Sequence, residues 1–161
     1  MNIDFLTSLI KKIENASSLD SLEWIDSLRT SYTNVAIYDT IEDCLFSTII
    51  ISNHANTNSQ IISFFGEKFT ISLSELEYLF GKFDIGYNFR DNYTAFFFKG
   101  VGKKILKIYC EIDNNFKKEG DRIYEYSLQG KTRYYTPEEV IFNNIFFEIR
   151  FNGIGRRNIT S

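Results

Sequence analysis

The first apolar residues of the chain recur at helical spacing. Leu6, Leu9, Ile10 and Ile13 share one side, while Lys11, Lys12 and Glu14 take the other. This pattern predicts an amphipathic helix over 3–14. A second helix is expected over 20–31. Asp20 can cap it and Glu23 completes a capping box. Leu19 and Trp24 occupy the staple positions, and Leu22, Ile25 and Leu28 form the apolar stripe. The short linker NASS makes the two helices a pair.

From Val35 the period shortens to two. NVAIYDTI, CLFSTIIIS and IISFFGEKF read as strands, and the polar run SNHANTNSQ (52–60) reads as an exposed loop. The sharpest local signal is ISLSELEYLFG (71–81). Ser72 stands as N-cap, Glu75 as the third helical residue, Ile71 and Leu76 as a staple, and Gly81 as the stop. Beyond it DIGYNF, TAFFFKG, KKILKIYCEID, RIYEYSL, TRYYT and VIFNNIFFEIRF read as strands. They are separated by RDN, GVG, NNFKKEGD and LQGK, whose Gly, Asn and Asp tolerate turn geometry. Within KILKIYCEI, Leu106, Ile108, Cys110 and Ile112 are expected to be buried. Ile105, Lys107, Tyr109 and Glu111 are expected on the wetter face.

The order predicts an α+β fold, with an N-terminal helical pair and one short helix packed on a curved, mainly antiparallel sheet of about six strands. One domain is expected over 1–161: the helical pair at 3–31, the sheet with its inserted helix at 34–151, and a tail at 152–161. The element order is similar to that of the cone-shaped NTF2-like fold. A 17% aromatic content, with 16 Phe and 10 Tyr, strengthens the sheet reading, because such side chains suit a pleated, half-buried surface. The abundance of Phe, Tyr, Ile, Asn and Lys also matches AT-rich codons, which points to a bacterial or phage source. The N-terminus has no basic stretch before a continuous apolar run, so neither a signal peptide nor a membrane span is expected, and a cytoplasmic location follows.

A search for chemistry returns no catalytic constellation. The one histidine, His54, falls in the polar loop, and Cys44 and Cys110 lie among apolar neighbours as core thiols. No CxxC, HExxH, calcium loop or phosphate loop occurs, so no metal and no cofactor are expected. KGVGKK (99–104) reads as a hairpin turn rather than an anion cradle. Basic residues at 103–107, 117–118, 131–133 and 150–157 lie among aromatics that could stack bases. Glu111, Asp113, Glu119, Asp121 and Glu125 dilute them, which argues against nucleic acid. Glu111, Glu125, Tyr109, Tyr124, Tyr126 and Tyr134 could instead converge on a cavity. The alternative is then an NTF2-like small-ligand binder or enzyme.

The segment FTISLSELEYLFGKFDIGYNFRDNYTAFFFKG (69–100) resembles a pattern of the immunity proteins of bacterial polymorphic-toxin and contact-dependent inhibition systems. It carries a short S-L-x-E-L helix ending in F-G, a strand with Tyr and Asn, and a T-x-F-F-F strand. The resemblance implies a protein that binds one cognate toxin, often a basic nuclease, and neutralises it by occlusion or by mimicking its substrate. A phage-encoded inhibitor of a host defence protein shares the same composition. Charge adds a location. The chain carries −3 overall, but residues 1–50 carry −5 and residues 101–161 carry +3. An acidic front half would steer a basic partner. The expected partner surface is Asp20, Glu23, Asp26, Asp39, Glu42 and Asp43, with Trp24, Tyr32 and Tyr38 as aromatic anchors. Reversing the charge of Asp39, Glu42 and Asp43 together should weaken toxin binding and reduce its salt sensitivity without unfolding the protein. Unchanged affinity in a salt titration would remove this surface from consideration.

Overall fold

Alternating apolar residues in most strands leave one wide sheet with a single thickly covered face. The computed structural model describes residues 2–17, 29–32, 35–39, 48–53, 59–88 and 92–151. In chain order its elements are α1 (Asn2–Asn15), β1 (Arg29–Tyr32), β2 (Val35–Asp39), β3 (Thr48–Asn53), β4 (Ser59–Phe65), β5 (Ile71–Ser72) and α2 (Leu73–Phe80). There follow β6 (Phe83–Asn88), β7 (Tyr93–Lys99), β8 (Ile105–Ile112), β9 (Phe116–Glu119), β10 (Arg122–Ser127), β11 (Gly130–Tyr135), β12 (Ile141–Phe142) and β13 (Asn144–Arg150). The fold is α+β, and every strand pair is antiparallel. The main sheet has eight strands, in the order β1-β2-β3-β4-β13-β8-β7-β6. A three-stranded sheet, β11-β10-β9, and a two-stranded one, β12-β5, complete it. Among the described residues no helix is long and apolar enough to cross a membrane.

Cross-strand partners share a face, so the register separates the two faces. Ile49, Ile51, Ile62, Phe64, Ile145, Phe147, Ile108, Cys110, Phe96, Phe98 and Phe83 form the core face, and all are buried. Helix α1 packs there through Leu6, Leu9 and Ile13, with Phe5 edge-on to Phe64 at 6.2 Å. Helix α2 brings Phe80 edge-on to Phe98 and Phe147, at 6.1 and 6.3 Å. The opposite face carries a cross-strand aromatic row. Phe65 meets Phe146 edge-on, Phe146 stacks on Tyr109 at 4.6 Å, and Tyr109 meets Phe97 at 5.9 Å.

Two local devices set the frame. Ser72 caps α2 as its spacing predicts: Glu75 N–H donates to Ser72 Oγ, and Ser72 N–H donates to Glu75 Oε2 at 2.8 Å. The staple residues Ile71 and Leu76 are both fully buried. Gly81 N–H donates to Glu77 O at 2.8 Å with φ at +85°, a backbone conformation open to glycine. The other device is Lys104, in the turn between β7 and β8. Its ammonium donates to the carbonyls of Glu14 and Ala16 at 2.8 and 2.5 Å, placing a cation on orphan acceptors at the C-terminus of α1. Gly100 allows this turn to fold tightly, since a Cβ there would lie 2.1 Å from Ile105 O.

Four sequence expectations change. The helix expected over 20–31 cannot reach its end, because 29–32 pair with 35–38 as a hairpin; 20–28 lie outside the described residues. The main sheet has eight described strands rather than about six, with β1 pairing to the expected strand β2 at one edge. The polar run 52–60 is entered by β3 and left by β4, with Ser59 buried; 54–58, including His54, lie outside the described residues. In β8 the alternation slips. Glu148 faces Lys107 but Ile149 faces Ile105, so Leu106 is the extra residue of a β-bulge. Ile105 therefore turns inward and Leu106 outward, and the two-residue period fails at that point.

Phe147 is fully buried between α2 and the sheet, edge-on to Phe80 and Phe64, so Phe147→Ala should cost about 3–5 kcal/mol of stability in chemical denaturation. Ser72→Ala should cost about 1 kcal/mol, with Ser72→Asp close to wild type. An unchanged midpoint for either alanine variant would contradict these packing and capping roles.

Candidate functional site

Where the main sheet ends at β6, the layer over its core face is no longer helical. The three-stranded sheet covers it there. Phe116 meets Phe96 at 5.9 Å and Tyr135 at 5.1 Å, and Phe142 meets Phe96 at 5.1 Å. Register divides this small sheet as well. Phe116, Ile123, Glu125 and Tyr135 turn inward, while Lys117, Arg122, Tyr124, Tyr126 and Tyr134 turn outward. Between β6 and β9 the two layers part, leaving an open groove of about 590 Å³. Ile85, Gly86 and Tyr87 form one wall and Lys117, Lys118, Tyr124 and Tyr126 the other, with Thr94, Asn115 and Phe116 completing the lining.

Each lining group has a local reason for its position. Thr94 is buried, and its hydroxyl accepts the Phe116 N–H at 3.2 Å, which ties β9 to β7 beneath the groove. Lys118 reaches across to β6, donates to Phe83 O at 3.1 Å and lies 4.5 Å from the centre of the Phe83 ring. Lys117, its chain neighbour, points the other way and lies over Tyr126 at 4.1 Å. Tyr87 donates its hydroxyl to Asn92 Oδ1 at 2.8 Å, which fixes the ring at the rim. Gly86 leaves room for the Phe97 ring, since a Cβ there would lie 2.6 Å from it. Tyr87 and Tyr126 are 39% and 40% exposed, so both rings reach solvent at the rim.

Among the described residues the lining holds two ammonium groups, three phenols, an amide and a hydroxyl, and no carboxylate. Such a set can bind an anion and cover apolar surface, but it holds no acid–base pair. Glu125 is held on the inner side of the small sheet, where Tyr135 donates to it at 2.6 Å and Asn114 at 3.4 Å. The bond to Glu125 raises the Tyr135 phenol above its ordinary value. Carboxylates do approach the Lys118 end from α2 and the neighbouring turns. Burial pushes the Glu77 carboxyl up, Lys118 pulls it down, and Glu138 and Asp121 push it up again.

The residues expected to converge on a cavity scatter. Tyr124 and Tyr126 line the groove, and Tyr134 lies beside it under Arg122, 4.2 Å from ring centre to guanidinium. Tyr109 and Glu111 belong to β8, with Tyr109 in the aromatic row on the sheet's other face. Cys110 is fully buried, and that burial pushes its thiol well above the usual range, as a core thiol requires. KGVGKK forms the β7–β8 turn and takes an anion from its own chain, as the Lys104 N–H donates to Glu14 Oε1 at 3.4 Å. Of the acidic partner surface, Asp39 and Tyr38 fall on β2, near the sheet edge opposite β6. Asp20, Glu23, Trp24, Asp26, Glu42 and Asp43 lie outside the described residues, as does Cys44. Among the described residues no group of His, Cys, Asp or Glu side chains is placed to hold a metal ion. Sequence reasoning noted 117–118 only among basic residues diluted by acids and read NNFKKEGD as a separator, whereas FKKE is strand β9 and places Lys117 and Lys118 at the groove.

Comparison with known protein families, known proteins and solved structures finds no match for this chain.

Burial, with Glu111 and Glu148 nearby, pushes the Tyr109 phenol up to about 12 from an ordinary 10.0. A phenol raised on folding contributes stability that is intact below pH 10.0 and is lost as pH climbs through 12. Tyr109→Phe keeps the stacked ring and removes this titration. Alkaline unfolding followed by circular dichroism should therefore start at higher pH in Tyr109→Phe than in wild type. The reverse order would contradict the assigned burial.

Proposed function

We propose that this protein is a toxin-neutralising binding protein, the immunity role implied by the resemblance of residues 69–100, and that it docks its partner in the groove between β6 and β9. The observation that carries the reading is the groove's composition: half-exposed tyrosines beside lysines in an open trough, with no paired acid and base among the described residues. Interface energy concentrates in aromatic and cationic anchors of this kind, ringed by groups that exclude water. The resembling segment also supplies one wall, since Ile85, Gly86, Tyr87 and Thr94 all fall within it. Occlusion needs only affinity and position, which such a surface can provide. One observation favours a second reading: 590 Å³ is within the size range of small-ligand sites, so the groove could also take a compact ligand.

The test is a growth competition. A strain of the source organism deleted for this gene should lose to its toxin-producing parent in mixed culture, and the wild-type gene should restore it. The double variant Tyr87→Ala/Tyr126→Ala should restore it poorly, since loss of an aromatic anchor costs about 2 kcal/mol of binding. A deletion strain that competes equally well would overturn the toxin reading. Full rescue by the double variant would move the docking site away from the groove.

A further inference from the structure

The groove differs in charge from the chain that builds it. The whole protein carries −3, yet among the described residues the lining carries two ammonium groups and no carboxylate. Among the described residues neither Lys117 nor Lys118 has a carboxylate within ion-pair distance. Lys117 is set over the Tyr126 ring, and Lys118 spends one donor on Phe83 O. Because they are neighbours on one strand, they stand on either side of the β9 edge. An extended chain lying in the groove would pass between them, beside Asn115 and the rims of Tyr87, Tyr124 and Tyr126.

We propose that the groove takes an acidic, extended segment of the partner protein, whose carboxylates face Lys117 and Lys118 while its apolar residues lie against the tyrosines. This rests on the docking reading above and adds its chemistry. Single-stranded nucleic acid is the competing polyanion, and the ring geometry disfavours it. Bases need open ring faces to stack on. Here a face of Tyr126 is covered by Lys117 and a face of Tyr134 by Arg122. Carboxylates need only the cations, and the Lys117 ammonium, set over the Tyr126 ring, stays on the groove side of β9. Glu77, Asp121 and Glu138 near the Lys118 end penalise long, uniformly charged anions and favour a segment whose charge is confined to a few positions.

The experiment uses the full chain and three labelled probes read by fluorescence anisotropy: a short peptide alternating glutamate with valine, its counterpart with lysine for glutamate, and a deoxythymidine oligonucleotide of the same length. The glutamate peptide should bind best, and more weakly as salt rises. Lys117→Glu should weaken it by about tenfold and Lys117→Arg should leave it near wild type, as expected for an exposed charge pair reversed or kept. No binding of the glutamate peptide, equal binding of both peptides, or tighter binding of the oligonucleotide would each overturn the proposal. The growth competition separates this failure from that of the docking reading. If Lys117→Glu protects as well as wild type while Tyr87→Ala/Tyr126→Ala does not, the groove remains the docking site and the acidic chemistry is wrong.

Discussion

Strand β13 lies between β4 and β8, and the two halves of the main sheet meet through it. The first half, β1 to β4, is a meander of neighbours in sequence. The second, β8 to β6, is another, running the opposite way across the sheet. Among the described residues the halves are joined only by β13, the last described strand, which lies between them. Ile145, Phe147 and Ile149 then close the core that both helices cover. Such pairing is non-local, with loop closure preceding its reward, which slows folding. The groove inherits this dependence. Its β6 wall hangs from β7 and β8, and its β9 wall is tied to β7 by Thr94 and to β6 by Lys118.

The legible parts of this fold are those in which a local rule and the tertiary environment agree. Ser72 and Glu75 cap α2 because four residues suffice to specify that bond pattern. Helix α1 follows from the spacing of Leu6, Leu9 and Ile13, which the sheet then buries. The illegible parts are those in which pairing overrides local preference. RTSY sits at the end of an amphipathic pattern but pairs with VAIYD. Leu106 reads as core until the bulge turns it out. FKKE has poor strand propensity and reads as a turn, yet β10 holds it as an edge strand with only Phe116 buried.

The site was hidden for a related reason. Basic residues among aromatics were visible in the sequence, but so were the acids that dilute them. Composition averages over both faces of a strand, whereas a partner meets one. Register places Tyr124, Tyr126 and Lys117 on the outer face, with Glu119 opposite Arg122, and turns Glu125 inward to Tyr135 while Lys118 reaches from the inner face to Phe83 O. A chain of net charge −3 can therefore present a cationic trough. The acidic front half and the groove are then two separate electrostatic features. Asp39 on β2 and Lys117 beside β6 stand toward opposite ends of an eight-stranded sheet. A partner with charges of both signs could feel the first as steering and the second as an anchor.

The most direct test is amide hydrogen exchange on the protein bound to the proposed partner toxin, compared with the free protein. Slowed exchange should concentrate in β6, in β9 and in the outer residues of β10, with β4, β13 and β8 already protected in both states. A footprint confined to residues 20–43, with β6 and β9 unchanged, would contradict the assignment of function to the groove.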